Sequence, residues 1–323
     1  MNTTYREALG AALRDAMIDD PTIIVMGEEV GRYGGAYGVT KGLWEEFGAD
    51  RVLDTPISEA GIIGAAVGAA MTGLRPVAEL MYVDFAGVAM DQIANQAAKI
   101  RYMFGGQIGV PMVLRTQGGT GRSGAAQHSQ SLEAWFMHMP GLRVAMPATV
   151  GDAYHLLTSA LASPDPVIFI EHKGLYTMKG ALDKSAPFEW GKAKVLRAGT
   201  DITIITYSRM VHHALQAAEE LGKDGVEAEV IDLRTLNPLD RETMVASVRR
   251  TGRALVGTEG CLTAGVSAEL AAIIQEAAFD YLEEPVIRLA GEDVPIPVSP
   301  ELEQASIPSP ARIHAVARRM VRR

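Results

Sequence analysis

Two places in the chain hold side chains able to move a proton. The first is Glu59, inside the string DTPISEAGIIGAAVGAA at residues 54–70. Pro56 fixes its own backbone and pushes Thr55 out of the helical region, so a turn is expected there. A helix built almost wholly of Gly, Ala and Ile follows, with no polar face. Such a helix is expected to be buried, and Gly61, Gly64, Ala65, Gly68 and Ala69 let other backbones approach closely. The amide dipoles at a helix start suffice to explain a first-turn glutamate. The sharper reading is a carboxylate at the mouth of a close-packed helix that pairs with something protonated, because burying it alone is costly.

The second place is the loop QGGTGRSGAAQHSQ at 117–130, which contains His128. A lone loop histidine is ordinarily a surface residue, but an accessible imidazole can donate to an oxyanion or shuttle a proton at neutral pH. Gly119, Gly121 and Gly124 have the GxGxxG spacing. No helix begins there at once and no acid ends a second strand about 20 residues on, so a dinucleotide fingerprint is rejected. Ala125 stands where GxSxG needs its last glycine, so Ser123 is no hydrolase nucleophile. The histidines at 138, 155, 172, 212, 213 and 314 lack metal-ligand spacing.

The elements around these residues alternate. A first amphipathic helix (Tyr5, Ala8, Leu9, Ala12, Leu13, Ala16) ends at Pro21, and the strand 22–27 delivers Glu28 and Glu29 at its carboxyl end, where ligands bind in open parallel sheets. A glycine-rich loop follows at 31–38, then a short helix near Leu43. After the Glu59 helix come a strand at 75–80, a helix from Met90 to Met103, and strands at 111–116 and 167–171. A second set comprises strands at 202–207, 228–233, 254–259 and 286–290, with helices at 210–222, 241–250 and 265–279. The expected fold is α/β with two doubly wound domains: 1–175 with a mostly parallel sheet, a linker at 176–195, and a smaller domain at 196–323.

The 323 residues are 48% hydrophobic and 21% charged, ordinary for a folded protein with ample core. A net charge of -9 argues against nucleic acid or an anionic membrane as a partner. The single Cys261 forms no internal disulfide and is expected to be a small buried hydrophobe. Residues 1–20 read as an amphipathic helix and not a targeting peptide, and no apolar run is long enough to span a bilayer. A cytoplasmic location is expected, or a matrix one if a leader has been removed. RRMVRR at 318–323 reads as the last turn of a helix.

DTPISEAG, TGLRPVAELMYVDF (72–85), NQAAKIRYMFGG (95–106), AAQHSQSLEAW (125–135), MPGLRV (139–144), EVIDLRTLNPLD (229–240) and VPIPVSPELE (294–303) together resemble the beta subunit of the decarboxylating component of 2-oxo acid dehydrogenase complexes. These are thiamin diphosphate enzymes of the transketolase superfamily. The resemblance implies a transketolase-like pyrimidine-binding domain followed by a transketolase C-terminal domain. It makes Glu59 the carboxylate that hydrogen-bonds the aminopyrimidine and favours its basic imino tautomer, and His128 the histidine facing the substrate. Phe85 would stack on the pyrimidine, Ile57 and Met81 would line its pocket, and Glu28 matches another acid of the site. The GDG motif and downstream Asn that hold Mg2+ and diphosphate in related enzymes are not found, so a separate alpha subunit is expected to supply them. The family assembles as two alpha and two beta chains and acylates a lipoyl acyltransferase core. It often holds a structural K+ through carbonyls near residue 112 and at Ala160, Leu161, Ser163 and Asp165. Here PDP at 164–166 departs from the usual acidic-Asn string.

The nearest substrates on this resemblance are pyruvate and acetoin, with branched-chain 2-oxo acids third. A stand-alone transketolase-like enzyme is disfavoured by the absent diphosphate-binding half. A non-catalytic scaffold predicts loss of Glu59 or His128, and both are present.

Overall fold

The structure, a computed structural model, describes residues 2–322; Met1 and Arg323, at the outer ends of the stretches 1–20 and 318–323 read above, lie outside the described residues. The chain divides into two compact units, one of residues 1–118 with 135–190, the other of 119–134 with 191–323.

In the first unit six strands run parallel, in the spatial order Arg143–Ala145, Val167–His172, Val113–Gly118, Arg75–Leu80, Ile23–Gly27, Val52–Asp54. Val77, Val113 and Val167 face one side, where Tyr5, Leu9 and Leu13 of helix Tyr5–Asp19 and Leu156, Leu157 and Ala160 of helix Val150–Ala162 close over them. Ala78, Leu114 and Ile168 alternate to the other side and are buried too. Strands covered on both faces explain the near-continuous apolar runs in their sequences. The helix Glu59–Met71 buries Ile62, Ile63, Ala66, Val67 and Ala70.

In the second unit five strands take the order Ile287–Gly291, Ala254–Cys261, Ile202–Thr206, Ala228–Asp232, Lys194–Arg197, parallel except for the last. One face packs Ile202, Ile204, Val230 and Leu255 against helices Met210–Lys223 and Pro310–Val321. On the opposite face Thr203 hydrogen-bonds Ser247 and Thr251 of helix Arg241–Thr251, at 2.6 and 2.8 Å. Among the described residues, no helix is long and apolar enough to cross a membrane.

Four features differ from the reading of the sequence. The helix expected from Met90 to Met103 is broken into a π-helical stretch, Gln92–Ala97, and a short helix, Ile100–Met103. The glycine at 64 admits Gln92 there: a Cβ would lie 3.3 Å from the Gln92 side-chain oxygen. The stretch 176–182, expected to open the linker, is part of the first unit. Its strand Lys179–Ala181 pairs with Asn2–Thr4, and Tyr176 and Leu182 are core residues. The Glu59 helix is not covered all round, since Ala60, Gly61, Ala65 and Gly68 are exposed in the single chain. Finally, Cys261 is exposed rather than buried, because it falls where its strand runs out of the sheet.

The first helix begins with a reciprocal cap: Thr4 Oγ1 accepts from the Glu7 amide, and the Glu7 carboxylate accepts from the Thr4 amide at 2.8 Å. The Thr4 amide, then the Thr4 and Thr3 hydroxyls, hold the Glu7 carboxyl down to about 2, from an ordinary 4.5. A lowered carboxyl adds stability above its unfolded value and loses it as pH falls through the folded one. Glu7→Gln is therefore expected to lower the melting temperature at pH 7 by about 2 °C. In thermal scans that deficit should fade between pH 4.5 and about 2.

Candidate functional site

Three parallel strands of the first unit carry buried charge: Glu79, Arg115 and Glu171. Arg115 is fully buried and bridges the two acids, bidentate to Glu171 (2.7 and 2.8 Å) and through Nη1 to Glu79 (2.6 Å). Tyr176 donates to the same Glu171 at 2.6 Å. Burial works against the guanidinium's charge, but the pull of Glu171 and then Glu79 outweighs it and holds Arg115 ionised. Removing one partner from such a buried group costs about 3–5 kcal/mol, since it strands the other charges.

Glu28 lies just past the end of the neighbouring strand, half-buried. Burial pushes its carboxyl up, and the charges of Glu59, Glu29 and Glu79 push it further. The structure thus brings Glu28 and Glu59 within electrostatic reach of one another. Glu59 is half-buried in the first turn of its helix, where Ser58 makes no side-chain cap, so the helix-end amides favour its charge. Two residues before Ile57, the buried Thr55 hydroxyl has no hydrogen-bond partner in this chain.

Met81 and Phe85 follow the next strand, both half-buried, and the Tyr82 ring meets Phe85 edge-on at 5.8 Å and 81°. Ile57 is 79% exposed, which excludes it from the core and leaves its side chain open to another molecule. The glycine-rich loop does not cradle an anion at its first amide, because Gly31 N–H donates to Asp54 at 2.6 Å.

His128 belongs with the second unit, although the sequence reading placed it within residues 1–175. Its loop is tied down there. Glu259, at the end of strand Ala254–Cys261, accepts from the Thr120 amide and hydroxyl at 2.6 and 2.7 Å, and Tyr207 donates to the buried Glu133 at 2.7 Å. Glu303 accepts from the Ser123 amide at 3.2 Å. Ser123 and Ala125 take left-handed backbones on either side of Gly124, where a Cβ would sit 2.8 Å from Ser129 Oγ and 2.9 Å from the His128 carbonyl. The glycines of the rejected fingerprint thus serve a tight, strained loop of the kind that clusters at functional sites. A largely apolar cavity of about 640 Å3 adjoins it, lined by Thr120, Ala126, Ser129, Glu259, Cys261 and Asp293 among others. Partial loss of water around this exposed residue, and then the Asp293 charge, push the Cys261 thiol up, which disfavours the thiolate.

The carbonyls suggested for K+ already accept hydrogen bonds within this chain, that of Asp165 from the Ser163 hydroxyl at 2.9 Å. Arg75 already donates to the carbonyls of Leu161 (3.0 and 2.7 Å) and Ser163 (2.7 Å), and Asp165 is paired with Arg101 and Arg143. The Ala160 carbonyl accepts from the Ser163 amide at 3.1 Å. Among the described residues, no three His, Cys, Asp or Glu side chains form a metal-binding group.

The first unit's residues do fit the pyrimidine end of thiamin diphosphate. They provide a carboxylate at an uncapped helix start, a half-buried ring, an orphaned hydroxyl and an uncovered isoleucine. Sequence reasoning missed Glu79, Arg115, Glu171 and Lys173. The available signal was a charge inside each of three buried strands, negative, positive and negative in turn.

A mostly parallel α/β unit presenting such a site is the architecture of thiamin-type pyrimidine-binding domains, and the comparisons agree. Residues 1–179 match the family model of the transketolase pyrimidine binding domain, and 191–313 that of the transketolase C-terminal domain. The chain is 48% identical to the mitochondrial pyruvate dehydrogenase E1 component subunit beta-2 of Oryza sativa subsp. japonica, covering 98% of this chain and 85% of that one. It is 45% identical to the acetoin:2,6-dichlorophenolindophenol oxidoreductase subunit beta of Cupriavidus necator, over 98% and 96%. With the pyruvate dehydrogenase E1 component subunit beta of Rickettsia bellii it shares 48%, over 96% and 95%. A split-gene transketolase solved as an inactive beta4 tetramer has the same fold, with a TM-score of 0.82 at 24% identity over 98% of each chain. The chain belongs to the transketolase superfamily and, within it, to the family of pyruvate and acetoin dehydrogenase E1-type beta subunits.

Because the Glu28 carboxyl is raised, its contribution to stability is present at low pH and lost as pH climbs through the raised value. Glu28→Gln is expected to raise the melting temperature at pH 7–8, with the gain vanishing as the pH drops into the ordinary carboxylate range. Thermal denaturation across that range checks the sign. A loss of stability at pH 8 would remove the charge crowding assigned to Glu28.

Proposed function

We propose that this chain is the beta subunit of a thiamin diphosphate-dependent 2-oxo acid dehydrogenase of pyruvate or acetoin type. In this reading it holds the aminopyrimidine end of the cofactor, and an alpha subunit holds the Mg2+ and diphosphate in an assembly of two alpha and two beta chains. The acyl product passes to the lipoyl group of an acyltransferase core. When bound, the cofactor supplies a nucleophilic carbon and an electron sink for cleaving the bond beside the substrate carbonyl.

The protein's own part is orientation and proton control. Glu59 fixes a ring proton at its carboxylate, and burial strengthens that hydrogen bond. Phe85, Met81 and Ile57 keep water from the ring, and Glu28 is a second acid whose carboxyl, raised by burial and by the charges of Glu59, Glu29 and Glu79, holds a proton more readily than an ordinary carboxylate. His128, on its strained loop, is assigned as donor to oxygen charge developing on the substrate.

One observation carries this reading: the acid-bearing start of the Glu59 helix is half-buried, while Ala60, Gly61, Ala65 and Gly68 beside it lie bare in the isolated chain. That is half of a site, with the covering surface on another polypeptide. The names of the relatives support pyruvate and acetoin as the substrate choices.

The purified chain with thiamin diphosphate and Mg2+ is expected to show no decarboxylation until its alpha partner is added. Robust turnover by the chain alone would end the split-site reading. In the reconstituted enzyme Glu59→Gln should lower kcat by about 10²–10⁴-fold, the range for a lost proton-transfer group, with assembly unchanged by gel filtration.

A further inference from the structure

Lys173 is the first residue beyond the strand Val167–His172 and is only 1% exposed. An ammonium so deeply buried needs compensation. Its Nζ lies 5.2 Å from the centroid of the Tyr82 ring, within range of a cation–π attraction that strengthens out of water. The same ring meets Phe85 edge-on, and its hydroxyl accepts from Tyr37 at 3.4 Å. Tyr37 comes from the glycine-rich loop and stacks on Tyr176 at 4.8 Å and 24°. Tyr176 is the phenol that donates to Glu171 of the Arg115 cluster. Tyr82 is thus held on its face, at its hydroxyl and along its edge. Phe85 shares that hold through a tight turn in which its amide donates to the Tyr82 carbonyl at 3.0 Å.

We propose that Lys173 is a positioning residue: its buried ammonium clamps the Tyr82 ring and thereby fixes the plane of Phe85, the aromatic wall of the cofactor pocket. The inference rests on the reading that thiamin diphosphate binds against Phe85, but the clamp itself can be measured without cofactor. In this proposal Lys173 makes no contact with substrate or cofactor. Its influence passes through Tyr82 and appears in how tightly the ring is received, more than in the chemical step.

Two measurements test this. Amide hydrogen exchange on the free chain follows the turn at 82–89, where Val88 and Ala89 donate to Phe85 and Ala86 at 3.0 Å. Lys173→Met and Tyr82→Leu should each speed exchange there about tenfold, while Lys173→Arg and Tyr82→Phe, which keep cation and ring, should stay near wild type. In the complex reconstituted with the alpha subunit, calorimetric titration with thiamin diphosphate should give a Kd about tenfold higher for Lys173→Met, with kcat at saturating cofactor nearly unchanged. The double variant should be no worse than either single one, as expected for two ends of one contact. Unchanged exchange in Lys173→Met, or additive losses in the double variant, overturns the clamp. If Lys173→Met does not fold, Tyr82→Leu against Tyr82→Phe carries the same comparison. A wild-type complex that binds no cofactor sinks the reading of the pocket, while exchange at 82–89 still decides the role of Lys173.

Discussion

One guanidinium sets the terms for the first unit. A sheet covered on both faces has no room for charge, yet a site at the carboxyl ends of its strands needs acids there. Arg115 reconciles these demands by lying between Glu79 and Glu171, on the strands to either side of its own. Without it two carboxylates would face each other in a medium that screens poorly. The ring of Tyr176, and through it Tyr37 and Tyr82, takes its place from the same cluster. The edge-on contact of Tyr82 with Phe85 is joined to that buried cation through the same chain of rings.

The second unit answers a similar demand differently. Its histidine sits on a loop with unfavourable backbone at Ser123 and Ala125, and carboxylates bonded to Thr120 and Ser123 hold the loop in place. Strain in one place is offset by charge-assisted hydrogen bonds a few residues away. Glu133 is kept in its buried position with Tyr207 as donor, and burial raises its carboxyl.

Much of this was legible in the residues, because period and punctuation are local. The four strands and three helices read for the second unit fall within one or two residues of the observed ones, as do helix Tyr5–Asp19 and the start of the Glu59 helix. The edge strand Lys194–Arg197 was not read, and helix Pro310–Val321 was read only as a last turn at 318–323. What was not legible is long-range. Nothing near His128 says that its loop leaves the first unit, since its anchors Tyr207, Glu259 and Glu303 lie far along the chain. The helix Val150–Ala162 and the short strands Val52–Asp54 and Arg143–Ala145 escaped notice because each is brief or sits among mixed signals. The burial of the Glu59 helix was overstated for a physical reason: composition tells that a surface avoids water, not which polypeptide covers it. The same limit applies at Ile57, a large apolar side chain that stands open in this chain.

The itinerary of the chain has a practical corollary for anyone building hybrids from these subunits. A splice at residue 190, just before the C-terminal family domain begins, would graft a foreign carboxyl-terminal half onto a loop whose tethers at Tyr207, Arg209, Glu259 and Glu303 are now someone else's. A successful hybrid must move residues 119–134 with the half they fold against, or carry those four tethers across the junction. The boundary between the two family domains is not the only place where the folded chain divides.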